Sequence, residues 1–222
     1  MTRPARRRLN ALPVALALLV PGSGCGGGST PSSPSASPTA VPTATLPSLD
    51  AMLADKAMGD PAARVALIEY ASLTCPHCAS FHEGTLAQIK AVYIDTGKVK
   101  LVYRDYPLDE KALSAAMVAR CAGDKYFAVI DLLFAGQASW ALSADTVGAL
   151  KRVVAPAGVS SATVDACLAR GDLRSGVLQI QADGQRLYGV RATPTFIVGD
   201  QMIVGDVPFA EFDAILAKAT SG

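Results

Sequence analysis

The chain has 222 residues and a formal net charge of +1; half of its residues are apolar and 18% are charged. That length suits one domain with additions, and the near-neutral charge argues against a nucleic-acid binder or a membrane-surface protein. No apolar run reaches the roughly 20 residues of a spanning helix.

The first 25 residues read as an export signal rather than as part of a fold. Arg3, Arg6, Arg7 and Arg8 make a basic start, Leu12 to Val20 a short apolar core, and Gly22, Ser23 and Gly24 lead to Cys25. Cys25 resembles the lipidated cysteine of bacterial lipoproteins, which directly follows the cleavage site, although Gly22 stands where those signals usually carry Leu. A lipid there implies a membrane anchor, with each buried CH₂ contributing about 0.8 kcal/mol. Residues 26–48 are Gly, Ser, Thr, Ala and Pro almost throughout, a composition that buries too little to fold and acts as a flexible tether. Loss of the signal removes four arginines and no acids, so the mature chain carries about −3.

From Leu49 to Gly222 the composition turns globular. Asp60-Pro61 is a turn, and Arg64 to Ala71 is nearly continuously apolar, as a buried parallel strand should be. Glu69 interrupts it; a carboxyl there must be paired, hydrogen-bonded or protonated. It either meets a surface lysine at the sheet edge or tunes the thiols that follow.

Those thiols are Cys75 and Cys78, separated by Pro76 and His77 at the mouth of a helix. Unpaired N–H groups at a helix start, a charged His77 and an S–H donated by Cys78 would all lower the pKa of Cys75. Pro76 suits the first helical turn, where its missing N–H costs nothing. Cys75 is the expected exposed, attacking thiol, and Cys78, one turn on, closes the ring. The pair as half of a zinc site needs two more ligands, usually a second Cys or His pair. Only His77 and His82 are present, so no metal is expected.

The helix from Pro76 places Cys78, Leu86, Ile89 and Tyr93 on one face and ends before Gly97. His82 reads as a partly solvated helix residue. Lys98 to Tyr106 is the next strand, parallel to the first. Residues 108–190, approximately, then show only helical periodicity and form an insertion. Stripes run through Leu113, Met117 and Cys121, then Val129, Ile130, Leu133 and Phe134. Ser143 caps a third segment, Ser160 or Ser161 a fourth that ends before Gly171, and a last helix runs from Leu173 to Tyr188. Cys121 and Cys167 lie on apolar faces. Free, they would be ordinary core residues; in an exported chain they are expected to pair. Closing a loop of roughly 47 residues stabilises by about 4 kcal/mol.

Thr193-Pro194 opens a strand through Val198, Gly199-Asp200 turns a hairpin, and Gln201 to Val204 returns. Pro208 starts a final helix with Phe209, Phe212, Ile215 and Leu216 inward.

This order, β-α-β, helices, then a Pro-led hairpin and a helix, is that of the thioredoxin fold, an α/β frame with an all-helical insertion. In Cys75-Pro76-His77-Cys78, in Glu69 at the buried-acid position and in Thr193-Pro194, the chain resembles the DsbA-type thiol–disulfide oxidoreductases of the bacterial cell envelope. The resemblance implies a cis peptide at Pro194 facing the active disulfide, and Thr193 and Pro194 binding a substrate strand through backbone hydrogen bonds. It likens Cys121–Cys167 to a second, non-catalytic disulfide of some members. It also implies donation of a disulfide to exported proteins with free cysteines, in the periplasm, and a membrane quinone-linked reoxidase. A monomer without cofactor or nucleic acid is expected. Thr193, where the most oxidising members carry Val, keeps an isomerase or reductase open, as well as a non-catalytic module holding metal or a partner.

Overall fold

The computed structural model describes residues 45–222. The export signal, Cys25 and most of the tether lie outside the described residues. A five-stranded sheet in the order β1-β3-β2-β4-β5 forms the frame. Its strands are β1 (Lys56–Met58), β2 (Val65–Ala71), β3 (Val99–Asp105), β4 (Thr195–Val198) and β5 (Gln201–Val204). β2 runs parallel to β3, with Leu67 opposite Leu101, and antiparallel to β4 on its other side. A strand flanked on both edges and covered on both faces has no solvent side, which is why β2 reads as a run of apolar residues.

No sequence pattern announces β1 or α1 (Leu49–Leu53). Both are too short for a periodic signal; they are held by tertiary contacts. Arg120, only 1% exposed, reaches Asp105 Oδ2 at 2.5 Å and the carbonyl of Met52 at 2.7 Å, tying α1 to β3. Ser48 caps α1 by accepting the N–H of Ala51, and Leu46 packs against the core, so the last residues of the expected tether join the fold.

The expected single helix after Pro76 is three pieces: α2 (Pro76–Glu83), α3 (Thr85–Ile89) and a wider turn over Lys90–Ile94. Gly84, at φ −121° and ψ −81°, breaks the ladder; glycine is among the weakest helix formers, and β-branched Thr85 follows. The apolar face survives the break. Leu86, Ile89 and Tyr93 are buried with Phe81, Phe196, Phe212 and Leu216 between the sheet and the last helix, α10 (Phe209–Thr220).

Between β3 and β4 lie α4 (Glu110–Arg120), α5 (Tyr126–Ala135), α6 (Gln137–Ala141), α7 (Thr146–Val154), α8 (Ser161–Leu168) and α9 (Gly171–Tyr188). Three local expectations differ. Asp145 rather than Ser143 caps α7, because its carboxylate accepts the N–H of Gly148 while Ser143 Oγ accepts the N–H of Asp145 itself. Gly171 follows the end of α8 but also begins α9, which starts there rather than at Leu173. The short α6 falls between two expected helices. Phe134, Trp140, Leu150, Val154, Val164 and Cys167 form the core of the insertion. α9 crosses the sheet at Tyr70, and Gly184 permits it: a Cβ there would lie 2.5 Å from the tyrosine ring. Among the described residues, no helix is long and apolar enough to cross a membrane.

Cys121, at the end of α4, is bonded to Cys167 in α8, with Cα atoms 6.2 Å apart. Replacing both by alanine should lower the free energy of unfolding by about 4 kcal/mol through the longer-ranging unfolded chain. Denaturant titration of the oxidised proteins measures it, and a loss under about 1 kcal/mol would contradict a load on this crosslink.

Candidate active site

β2 ends at Ala71, and Ser72 to Thr74 carry the chain to Cys75, the N-cap of α2. Cys75 is extended at φ −79° and ψ 120°, and Pro76 occupies the first turn. No side chain caps this helix start, so its free N–H groups and dipole face the cysteine sulfur. Cys75 and Cys78 are both free thiols here. Cys78 has no exposed surface and Cys75 only 5%, so the attacking thiol is less open than the sequence suggested. The cover comes from the loop that leads into β4, the strand beside β2. The Thr193–Pro194 peptide is cis, and the Thr193 carbonyl lies 3.3 Å from Cys75 Sγ. Pro194 immediately precedes β4, and its own carbonyl accepts the N–H of Gly205.

The two sulfurs differ sharply as acids. The Cys75 thiol is drawn down from 9.0 to about 5, first because Cys78 S–H donates to its sulfur. Burial opposes this, while Thr193 and the backbone N–H groups of Cys78 and His77 add to the depression. The Thr193 hydroxyl is buried without a hydrogen-bond partner. His77 is exposed, and its backbone contact with the sulfur belongs to the helix start rather than to the imidazole. Burial pushes the Cys78 thiol far up, and the neighbouring Cys75 and Glu69 push it in the same direction. One sulfur is therefore an anion at neutral pH and the other a thiol.

Glu69 is fully buried at the centre of the sheet, not at its edge, and its partner is not a surface lysine. It meets His82, whose Nε2 lies 3.0 and 3.1 Å from its two carboxylate oxygens. His82 is likewise not solvated: its side chain is 3% exposed and stacks near Phe134, with ring centroids 4.3 Å apart. Alternation along β2 turns Glu69 to the face that carries Leu67, the face that α2 covers. A signal for this pairing was present. His82 is four residues beyond Cys78, hence on the same inward side of α2.

The insertion grips the active-site loop. Gln137 Nε2 donates to the carbonyls of Leu73 at 2.8 Å and Cys75 at 3.1 Å. Thr74 Oγ1 donates to Asp109 Oδ2 at 2.7 Å, while the other oxygen of that carboxylate caps α4. Neither contact leaves a mark in the sequence, because each joins segments far apart in the chain.

Residues 52–218 match the family model described as thioredoxin. The chain belongs to the thioredoxin family. Its fold matches that of DsbA structures: it superimposes on the crystal structure of alpha-DsbA1 from Wolbachia pipientis with a TM-score of 0.70 and 29% identity, over 75% of this chain and 91% of that one. It is 36% identical over 91 residues to a Rickettsia prowazekii protein provisionally named a protein-disulfide oxidoreductase, a match covering 40% of this chain and 34% of the relative. A Rickettsia typhi protein of the same provisional name is 30% identical over 149 residues, 65% of this chain and 54% of the relative. The chain thus spans about a third to a half of these relatives' length.

The lowered Cys75 value makes the dithiol form pH-sensitive. A thiol whose folded value lies below its unfolded one stabilises the fold at pH above the unfolded value, and that gain is lost as pH falls to the folded value. The unfolding free energy of the dithiol protein, relative to that of Cys75→Ser, should therefore grow as pH rises from about 5 toward 9.0 and be level below about 5. Cys78, pushed up chiefly by burial, remains a thiol in both folded proteins across this window. A constant difference across this window would contradict the assignment.

Proposed function

We propose that this chain is a protein thiol–disulfide oxidoreductase that donates a Cys75–Cys78 disulfide to exported proteins with free cysteines. The supporting observation is the contrast between the two sulfurs, one stabilised as an anion and one buried as a thiol. What stabilises the Cys75 thiolate stabilises the reduced form, and so makes the disulfide a better oxidant. A substrate thiolate attacks Cys75 Sγ; the Cys75–Cys78 bond breaks, and Cys78 leaves with the electron pair and takes a proton. A second substrate thiolate then attacks the substrate sulfur of the mixed disulfide. Cys75 departs as its stable anion, the substrate holds a disulfide, and the enzyme is a dithiol.

The Thr193–Pro194 backbone beside Cys75 suits an extended substrate segment, held through main-chain groups and so tolerant of sequence. The site works outside the cytoplasm, in the cell envelope, with Cys25 as a lipid anchor. A quinone-linked membrane reoxidase returns Cys75 and Cys78 to the disulfide. Cys121–Cys167 stays oxidised throughout as a structural crosslink, and the enzyme acts as a monomer. A module holding zinc at Cys75 and Cys78 would need further ligands, and of the two histidines His82 is committed to Glu69.

An isomerase or reductase is the second reading, favoured by Thr193 before the cis proline. Equilibration with glutathione separates the two. A donor has a couple well above the roughly −270 mV of thioredoxin; a value as low as that one overturns donation. Cys75→Ser should abolish peptide oxidation while the fold, followed by circular dichroism, persists. Undiminished activity in that variant would remove the enzyme reading altogether.

A further inference from the structure

The loop that brings Thr193 to the thiols is fastened at three points. Tyr106 Oη donates to the carbonyl of Val190 at 3.2 Å, and the Val190 N–H donates to the carbonyl of Gly184. Thr195 Oγ1 donates to the carbonyl of Ala192 at 2.8 Å. Between these anchors Arg191 stands exposed, two residues before Thr193 and so within about 7 Å of chain from the residue whose carbonyl lies against Cys75 Sγ.

Beside it is a pocket of about 290 Å³ lined by Tyr106, Gln185, Val190 and Arg191. Gln185 Nε2 donates to Tyr106 Oη at 2.8 Å, and that hydroxyl donates onward to Val190, so the phenol is already engaged. The guanidinium of Arg191 forms no salt bridge among the described residues. The acids of the neighbouring elements are committed elsewhere. Asp109 accepts from Thr74 and from the N–H of Ala112, and Glu110 is held by both terminal nitrogens of Arg174. Asp183 on α9 accepts from Gln179 and Arg186.

Resting on the oxidoreductase reading above, we propose that Arg191 is a specificity-determining residue, drawing in substrate segments that carry Asp or Glu close to the cysteine to be oxidised. A guanidinium fork matches a carboxylate with two parallel N–H···O bonds. Alternate residues of an extended segment share a side. Arg191 and Thr193 are alternate residues, so the carboxylate belongs about two residues from the substrate cysteine. The exchange itself is unchanged: the substrate thiolate attacks Cys75 Sγ and Cys78 leaves with the electron pair. The charge speeds encounter and suppresses partners of the wrong sign. Main-chain contacts at Thr193 and Pro194 accept many sequences; this contact sorts them by charge.

The test uses the oxidised protein and acetylated, amidated peptides with two cysteines, identical except for Glu, Gln or Lys two residues from the first cysteine, on either side. Peptide disulfide formation is read by acid quench and chromatography. A nearby acid also alters the peptide's own thiol, so the quantity compared between proteins is the Glu-to-Gln rate ratio. On at least one side of the cysteine, that ratio for the unsubstituted protein should exceed the ratio for Arg191→Gln by about fivefold at low salt. The excess should fall below about twofold in roughly 1 M salt. Arg191→Glu should reverse the order and favour the Lys peptide. Dithiothreitol, which is uncharged, should be oxidised at the same rate by all three proteins, which separates recognition from a change in the couple. Equal ratios in the unsubstituted protein and Arg191→Gln, or a dithiothreitol rate that falls in step with the peptide rates, would overturn the proposal. Failure of the oxidoreductase reading looks different, because neither the peptides nor dithiothreitol would then be oxidised at all.

Discussion

A sulfur anion held at the uncapped start of an eight-residue helix is the interaction on which the rest of this structure depends. The helix start supplies N–H groups, and Cys78, one turn further in, supplies the strongest donor to the anion. Everything around the site serves to hold that geometry. β2 delivers the chain to the helix from the middle of the sheet, the Thr193–Pro194 loop closes over the sulfur, and Gln137 and Asp109 fasten the approach from the insertion. The insertion therefore does more than enlarge the domain. It fixes the carbonyls of Leu73 and Cys75, whose movement would misdirect the helix start.

A cost accompanies this arrangement. Placing Glu69 in the centre of a covered sheet and Cys78 on the buried side of α2 requires groups that titrate to sit away from water. Buried charge is tolerated when paired and hydrogen-bonded, and Glu69 obtains this from His82. Arg120 and Asp105 repeat the solution on the neighbouring strand, with the guanidinium also filling carbonyls of the α1 segment. These two buried pairs join helices to the sheet, and Glu69 of the first also acts on the Cys78 thiol.

Much of this was legible from particular residues. The Pro-His spacing between Cys75 and Cys78, the apolar run of β2, the Thr193-Pro194 opening of β4 and the Gly199-Asp200 hairpin are local signals, because each reflects a backbone need met within a few residues. The apolar stripes of the insertion were equally local. What was missed is non-local. The β1 strand exists through its pairing with β3, and Gln137 acts across more than sixty residues on the loop of Cys75. The break at Gly84 was hidden because the apolar period continues across it. Glu69 in an apolar strand calls for a partner, but a helix histidine carries no local mark of burial; neither residue alone discloses the other without the register of α2 on the sheet.

The most direct measurement is the ultraviolet absorbance of the Cys75 thiolate, titrated in the reduced protein against Cys75→Ser as the blank. The account predicts a single transition with a midpoint at about 5. A midpoint near 9.0, where the thiol would lie with no help from its surroundings, would contradict it, since the disulfide would then have no reason to be given away.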